Sequence, residues 1–263
     1  MYDGVIQMKR LGDVGRWGNQ IFQYMFLRVY GKRNNLQVVT PVWRGTYIYN
    51  LNDCNKLRHL KRIVEKNVYR SSDSKVIGRK NVDVKGNFFY ETSWYAPDKE
   101  FIQDIFTPAP EYSKNILRNI EHRREGRPLV CIHVRLGDFL RLRKRGNKFF
   151  IAPYTWYHDA IDSLGLKRYS LFISTDSHKS VLPNFSDYKY FSWSSKKANP
   201  FWDFYTLTRC DYILASNSTF SLSASMIGNP RRCMRPDPYK GCFVEYDPWD
   251  MTFDIESENE AKT

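Results

Sequence analysis

The feature that most constrains the fold is an alternation of short apolar strands and amphipathic helices in the second half of the chain. Apolar runs typical of buried strands occupy residues 129–134, 169–174 and 212–215, and apolar residues at helical spacing occupy 153–164, 201–209 and 221–227. Strands that alternate with helices in this way predict parallel sheets in an α/β fold. In such sheets, ligands bind beyond the carboxyl ends of the strands.

The first half of the chain has the same ingredients in a less regular order. Apolar residues at helical spacing predict a helix over residues 21–30, and a buried strand follows at residues 36–40. A further helix is predicted over residues 97–106. Another uses Ile116 and Ile120 as its apolar face and stops at Gly126.

A polar stretch at residues 121–126 is the candidate domain boundary. The chain has 263 residues, a length that suits one large domain or two small ones. We therefore expect two α/β domains, residues 1–125 and residues 126–263.

The chain is strongly basic, with a formal net charge of +13. This balance favours an acidic partner, which can be nucleic acid, an anionic membrane surface or a phosphorylated substrate.

Aromatic residues make up 16% of the chain, and they serve either sugar or base stacking or simply a core rich in Phe and Tyr. The basic run at residues 141–148 can bind nucleic acid or an anionic glycan, although such runs more often form solvated loops.

Several common sites are missing from the sequence. The five cysteines have no metal-ligand spacing, and there is neither an Asp-x-Asp pair nor a Gly-x-x-x-x-Gly-Lys-Ser/Thr loop. If a nucleotide pyrophosphate binds, arginine, amide and hydroxyl groups must neutralise it without a metal.

No stretch is long and apolar enough to cross a bilayer, and the N-terminus lacks an apolar signal-peptide core. We therefore expect a cytoplasmic protein.

Three polar clusters follow predicted strands and so fall at the same edge of a parallel sheet: residues 133–138, 175–176 and 216–220. In the first cluster, Arg135 is suited to a phosphate because its guanidinium binds two oxygens at once, and Gly137 allows close approach. An ion pair in the turn after the strand, between Arg135 and Asp138, accounts for the same pattern equally well.

Two further segments are candidates for the same site. Hydroxyl groups and backbone N–H groups at Ser218, Thr219 and Phe220 precede a predicted helix and resemble a phosphate cradle, although Ser and Thr are also ordinary helix caps. Asp203 lies at the start of a predicted helix, where its carboxylate can accept both ring N–H donors of a guanine or can simply complement the helix dipole.

These segments resemble the fucosyltransferases of the α-1,2, α-1,6 and protein O-linked group, and most closely the family-11 α-1,2-fucosyltransferases. Gly18-Asn19-Gln20-Ile21-Phe22-Gln23-Tyr24 is similar to the opening motif of family 11, and His133-Val134-Arg135-Leu136-Gly137-Asp138 is similar to its His-x-Arg-x-Gly-Asp motif. The segments at residues 156–161, 172–176 and 211–221 resemble further motifs of the family, in the right order.

The resemblance implies a GT-B-like fold with two Rossmann-like domains facing a cleft. It implies that the first domain lies on the acceptor side and that the second binds the GDP-sugar. The implied activity is an inverting, metal-independent transfer of fucose from GDP-fucose to a glycan hydroxyl, most typically the 2-hydroxyl of a β-galactoside. No cofactor and no nucleic acid would take part. Because the sequence shows neither a signal nor a membrane segment, we expect the enzyme in a microbial or viral setting. A different GDP-sugar or acceptor is the near alternative, and a basic nucleic-acid-binding protein is the distant one.

The resemblance also assigns residues to roles. Arg135 would hold the β-phosphate, and Asn19 would approach the same pyrophosphate together with the backbone of Arg16, Trp17 and Gly18. His133 and Asp203 would bind the nucleoside, while Ser218, Thr219 and Phe220 would hold phosphates and base. Asp138 is the candidate general base. Leu136 stands where the family usually has a second arginine, a departure that bears on the acceptor.

Overall fold

The computed structural model describes residues 1–65, 78–143, 150–193 and 199–252, except the side chains of residues 142 and 143. The chain forms two compact units. The first contains Met1–Tyr112 and a return segment that begins at Trp249, and the second contains Ser113–Pro248.

The observed division between the two units falls at the start of a helix. The sequence had predicted the domain boundary at the end of the same helix. This helix belongs mainly to the second unit because its C-terminal turn is bonded there. Arg124 donates from Nη2 to Asp211 Oδ2 at 3.0 Å, and Ser170 Oγ donates to the carbonyl of Arg123 at 3.2 Å. The predicted division into residues 1–125 and 126–263 therefore differs from these units by this helix and by the return segment that begins at Trp249.

The first unit is a parallel sheet with helices. Its elements are β1 (Gly4–Gln7), α1 (Trp17–Arg33), β2 (Leu36–Val39), α2 (Arg44–Ile48), β3 (Lys61–Val64), β4 (Val82–Lys85) and α3 (Lys99–Ile105). The strand order is β2-β1-β4-β3, and every pairing is parallel. The predicted helix 21–30 and strand 36–40 are confirmed as α1 and β2.

Helix α1 is longer than the apolar periodicity indicated. It is buried over most of its circumference, with Phe22, Tyr24, Met25 and Val29 almost fully covered, because aromatic rings surround it. The helix starts at Trp17, so the Gly-Asn-Gln segment lies in its first turn rather than in a loop.

The second unit has a larger sheet. Its elements are α4 (Pro110–Arg124), β5 (Leu129–Val134), α5 (Gly137–Arg143), α6 (Tyr154–Ser163), β6 (Ser170–Thr175), α7 (His178–Val181), β7 (Tyr190–Phe191), α8 (Pro200–Thr208), β8 (Tyr212–Leu214), α9 (Thr219–Gly228), β9 (Arg232–Asp237) and β10 (Cys242–Glu245). The strand order is β10-β9-β8-β5-β6-β7, with β10 antiparallel to β9 and the other pairings parallel.

Strand β5 lies in the interior of this sheet, and all six of its residues are buried. Chain order runs outward from β5 through β6 to β7 on one side, and through β8 to β9 on the other. The direction of winding therefore reverses between β5 and β8. Such a reversal opens a crevice at the carboxyl ends of the strands, where open α/β sheets bind ligands.

The sequence prediction was wrong about the local structure of residues 137 and 138. They were expected in a turn, but helix α5 begins at Gly137, which places Asp138 in its first turn. Most of the basic run at 141–148 lies outside the described residues. Within the described ranges, no helix combines the length and the apolar composition that a membrane span requires.

Candidate functional site

The polar clusters predicted at strand ends meet at the carboxyl edge of the second unit's sheet. In the register of β5 and β6, His133 is paired with Ser174 and Val134 with Thr175, so the segments after both strands leave the sheet together. Strand β8 is paired with β5 on the other side, and the segment from Ser216 follows it. The site is therefore built around the winding reversal.

Arg135 is held by carboxylates on two sides. Its Nε lies 2.7 Å from Asp138 Oδ1, and its Nη2 donates to Asp138 Oδ2 at 2.9 Å. Its Nη1 lies 3.3 Å from Asp176 Oδ2. The guanidinium is largely buried, with 13% of the side chain exposed. The ion pair predicted as one alternative is thus present, and it fixes the plane of the guanidinium.

Asp176 is a positioning residue that the sequence-based assignment left out of the site. Its Oδ1 accepts the backbone N–H groups of Leu136 and Gly137 at 3.0 and 2.9 Å. Burial alone would raise the pKa of this carboxyl, but Arg135 and these two N–H groups outweigh burial and lower the pKa below its usual value. Asp176 therefore stays ionised and orients both Arg135 and the backbone after β5.

Gly137 is the residue that permits this arrangement. A Cβ at this position would lie 3.0 Å from Ser177 Oγ and 3.4 Å from the Asp176 carboxylate. A side chain at residue 137 would press on the Ser177 hydroxyl and on the Asp176 carboxylate, so glycine leaves both in place. The sequence signals for Asp176 were its place directly after a predicted strand and the resemblance of residues 172–176 to a family motif.

His133 lies buried beside Arg135, with 2% of its surface exposed. Burial, reinforced by the positive charge of Arg135, lowers its pKa to about 3, so the imidazole is neutral at physiological pH. Its Nδ1 is 2.9 Å from Ser216 Oγ, and its ring lies 5.1 Å from the Phe220 ring. The His133 and Phe220 rings therefore pack against each other at the end of β5.

Asp203 faces the same edge from the first turn of α8. Ser174 Oγ donates to its Oδ2 at 3.0 Å. Burial raises the pKa of this carboxyl to about 7, and the hydrogen bond from Ser174 only partly opposes the shift. Asp203 therefore changes charge near neutral pH, which is unusual for a carboxyl and typical of functional sites.

Ser218, Thr219 and Phe220 form the start of α9. Ser218 is the N-cap, and its Oγ accepts the N–H of Phe220 at 3.3 Å. The capping alternative predicted for this segment is therefore present. The dipole of this ten-residue helix places partial positive charge at the edge of the sheet that carries Arg135.

The predicted residues of the first unit cluster at the start of α1. Gln20 Nε2 donates to the carbonyls of Gly12 and Gly15 at 3.0 and 3.1 Å, which ties the preceding loop to the helix. Gly15 has a φ of +80°, a conformation that favours glycine. Asn19 Nδ2 lies 3.5 Å from Asn87 Oδ1, and Arg16 is the N-cap residue of α1.

Trp17 and Gly18 are covered by the interior of this unit. The Trp17 ring packs 5.9 Å from the ring of Trp43 and 6.3 Å from the ring of Tyr49, and Gly18 is buried. The contribution predicted for these two residues through their backbone is compatible with this packing.

The described residues contain no group of three or more His, Cys, Asp or Glu side chains placed to hold a metal ion. The site of the second unit instead offers a fixed arginine, a helix N-terminus, a neutral imidazole and a carboxyl that titrates near pH 7. These groups can bind the phosphates and the base of a nucleotide.

The sequence of residues 15–230 matches the model of glycosyl transferase family 11. The chain belongs to this family. The match covers the strand-end clusters and the start of α1, and it confirms both the resemblance and the predicted assignment as a fucosyltransferase. No curated protein sequence matches the chain.

Solved structures share the fold at low sequence identity. Fucosyltransferase NodZ from Bradyrhizobium is 16% identical with a TM-score of 0.62, and the match covers 94% of this chain and 100% of that one. POFUT1 in complex with GDP-fucose is 14% identical with a TM-score of 0.54, over 89% of this chain and 97% of that one. These neighbours have GT-B-like folds, which confirms the predicted fold class.

Proposed function

We propose that this enzyme transfers fucose from GDP-fucose to a glycan hydroxyl, with inversion at the anomeric carbon and without a metal ion. The observation that carries the proposal is Arg135, a largely buried arginine held by two carboxylates at the edge of the sheet where α9 also begins. Support also comes from the family and from two neighbours of the same fold that were solved with GDP-fucose, NodZ α-1,6-fucosyltransferase and POFUT1.

In this proposal, the second unit holds the nucleotide. The neutral ring of His133 and the Phe220 ring contact the nucleoside, and the Asp203 carboxylate accepts N–H donors of the base. Arg135 and the start of α9, at Ser218 and Thr219, bind the phosphates. The start of α1, with Asn19 and the backbone of residues 16–18, contributes to the same pyrophosphate.

Transfer forms a bond from the acceptor oxygen to the anomeric carbon and breaks the bond from that carbon to the β-phosphate oxygen. Attack from the face opposite the departing GDP gives inversion. Negative charge grows on the phosphate as the bond breaks, and the Arg135 guanidinium stabilises it in place of a metal. The proton of the acceptor hydroxyl passes to a base, for which we propose Asp138.

Asp138 can act as a base only after it leaves Arg135. Both carboxylate oxygens lie against the guanidinium, at 2.7 and 2.9 Å, so neither is free to approach an acceptor hydroxyl. The β-phosphate binds the same edge of the guanidinium and releases Asp138. Donor binding thus prepares the base.

For the acceptor, we propose the 2-hydroxyl of a β-galactoside, the typical target implied by the family resemblance. The rival linkage comes from NodZ, which is described as an α-1,6-fucosyltransferase. NMR of the product formed with lactose and with N-acetylglucosamine oligomers separates these linkages. An α-1,6 product would contradict the proposed acceptor position but not the proposed donor.

The donor is tested by hydrolysis and transfer assays with GDP-fucose, GDP-mannose and UDP-sugars, each with EDTA. We expect turnover of GDP-fucose that persists in EDTA. Turnover of another sugar nucleotide alone would overturn the donor, and loss of activity in EDTA that Mg²⁺ restores would overturn metal independence. Salt-sensitive binding to oligonucleotides with no response to GDP would favour the nucleic-acid alternative that the +13 charge raises.

A further inference from the structure

The second unit has a cavity at the opposite edge of its sheet from the candidate site. Its volume is about 290 Å³, and it lies where the end of α4 meets the start of β6 and of β7. Its lining includes His122, Arg123, Arg127, Tyr169, Lys189 and Tyr190. Strand β6 separates it from the carboxyl edge by about 17 Å, at roughly 3.3 Å per residue.

The lining carries an excess of positive charge. Arg127 Nη2 pairs with Glu125 Oε2 at 2.7 Å, so that carboxylate is already offset. Within the part of the chain that the structure describes, neither Arg123 nor Lys189 has a carboxylate within ion-pair distance. Among the described residues, these two cations line the cavity without a paired carboxylate, and a bound anion would supply the missing negative charge.

The Arg123 side chain packs against two aromatic rings. Its guanidinium carbon lies 5.3 Å from the centroid of the Phe191 ring and 6.0 Å from that of the Trp193 ring. The two rings attract the cation and restrict its side chain, which lowers the entropy lost when a ligand binds.

The end of α4 does not repel an anion here as a bare helix C-terminus would. Ser170 Oγ donates to the carbonyls of Arg123 and Arg124 at 3.2 and 3.1 Å. These hydrogen bonds satisfy carbonyl groups that would otherwise present partial negative charge to the cavity.

The size and the lining define the class of ligand. A volume of about 290 Å³ is close to the lower end of pockets for small molecules, which is more than a lone phosphate or sulfate ion fills. Tyr169 and Tyr190 add two aromatic side chains to the lining that the two cations share. We propose that this cavity binds a single anionic sugar residue of a glycan, a pyranose that carries a carboxylate, sulfate or phosphate.

The test uses isothermal titration of the full-length protein, presaturated with GDP so that the nucleotide site is blocked. The probes are glucose 6-phosphate, glucuronic acid, neutral glucose, inorganic phosphate and an oligothymidylate. The variants are Arg123→Gln and Lys189→Gln. Arg118→Gln is the matched control, because Arg118 is an exposed cation of α4 outside the cavity lining.

We expect glucose 6-phosphate and glucuronic acid to bind more tightly than glucose and inorganic phosphate. Each cavity variant should weaken sugar binding by about tenfold, the effect of one lost charge-assisted hydrogen bond, while Arg118→Gln leaves it unchanged. The temperature of unfolding and the affinity for GDP serve as checks of folding, and both should match the wild type in all three variants.

Several results would overturn the proposal. If glucose bound as tightly as the two anionic sugars, the cavity would not recognise negative charge. If inorganic phosphate bound as tightly as they do, the cavity would be a site for a free ion and not for a sugar. Tighter binding of oligothymidylate that the two variants abolish would assign the cavity to nucleic acid. None of these results bears on GDP-fucose transfer, since the donor assay is separate.

Discussion

Arg135 and Asp138 meet through two contacts, Nε to Oδ1 at 2.7 Å and Nη2 to Oδ2 at 2.9 Å. The edge of the guanidinium formed by Nε and Nη2 is also an edge that can bind two oxygens of a phosphate. Asp176 occupies the remaining Nη1 at 3.3 Å. A phosphate can reach the paired edge of the guanidinium only by displacing the Asp138 carboxylate.

Replacement of Arg135 should abolish transfer. A preorganised donor to a developing charge contributes roughly 10²–10³ in rate, so both Arg135→Ala and Arg135→Lys should lower kcat by at least that factor. Lysine retains the charge but lacks the planar fork that Asp138 and Asp176 hold in position. Steady-state kinetics with GDP-fucose measures the effect, and wild-type turnover in Arg135→Lys would remove Arg135 from the mechanism.

Asp138→Asn should separate binding from chemistry. The substitution removes the anion that competes with phosphate for Arg135, so GDP should bind as tightly as to the wild type or more tightly. Transfer should fall by about 10²-fold or more, because the base is lost. Calorimetry with GDP and transfer kinetics test the two halves; weakened GDP binding with normal folding would show that Asp138 is structural.

Asp176→Asn is matched to Asp138→Asn, since it replaces the other carboxylate that contacts Arg135. It should weaken GDP binding, whereas Asp138→Asn should leave GDP binding unchanged or strengthen it. It removes a charge that orients Arg135 and weakens the hold on the N–H groups of Leu136 and Gly137. We expect GDP to bind about tenfold more weakly, the scale of one charge-assisted hydrogen bond. GDP affinity equal to that of the wild type would show that Asp138 alone positions Arg135.

Gly137→Ala should weaken GDP binding by displacing a neighbour rather than by strain in its own backbone. Its Cβ would meet Ser177 Oγ at 3.0 Å and the Asp176 carboxylate at 3.4 Å. The additional substitution Ser177→Ala removes the tighter contact and should restore part of the affinity. An unchanged affinity in Gly137→Ala would mean that the segment after β6 can move without cost.

Donor binding should depend on pH through Asp203. Its pKa of about 7 means that the carboxylate, the proposed acceptor for the N–H donors of the base, is lost as the pH falls below 7. The dissociation constant of GDP-fucose, whose pyrophosphate is esterified at both ends, should therefore rise by up to about tenfold per pH unit between pH 7 and 5.5. Titration at several pH values measures this slope, and Asp203→Asn should abolish it.

The Asp203 carboxyl should also make the free energy of unfolding depend on pH. It should stabilise the fold at low pH, whereas it should favour donor binding at high pH. Its folded pKa of about 7 exceeds the value of about 4 of an unfolded chain, so the fold favours the protonated form. Its stabilising contribution is full below pH 4 and is lost as the pH rises through 7. The difference in free energy of unfolding between wild type and Asp203→Asn should therefore change over this window; a constant difference would show an ordinary pKa.

The parts of the site that depend on local sequence could be predicted. Strand β5 is buried on both faces, and its sequence from Leu129 to Val134 is therefore a nearly continuous apolar run. Arg135 directly after this run is easily recognised as the polar residue that follows the strand. The helix at residues 201–209 and the cap at Ser218 follow from similar local rules. Local patterns were sufficient because burial and capping act within a few residues.

The role of Asp176 depends on register and could not be read in the same way. It reaches Leu136, forty residues earlier, only because β5 and β6 are paired with His133 opposite Ser174. Strand β9 was also missed. Its sequence at Arg232–Asp237 contains a proline and charged residues, and pairing with β8 and β10 rather than intrinsic preference makes it extended.

The return segment that begins at Trp249 gives this chain an order of assembly. The backbone N–H of Thr92 donates to the Met251 carbonyl at 2.9 Å, and the backbone N–H of Met251 donates to Thr92 Oγ1 at 3.0 Å. During synthesis on a ribosome, the residues of the second unit up to Pro248 are therefore made before the first unit has received its last segment. Nascent chains halted before Trp249 would carry these residues together with an N-terminal unit that still lacks this segment.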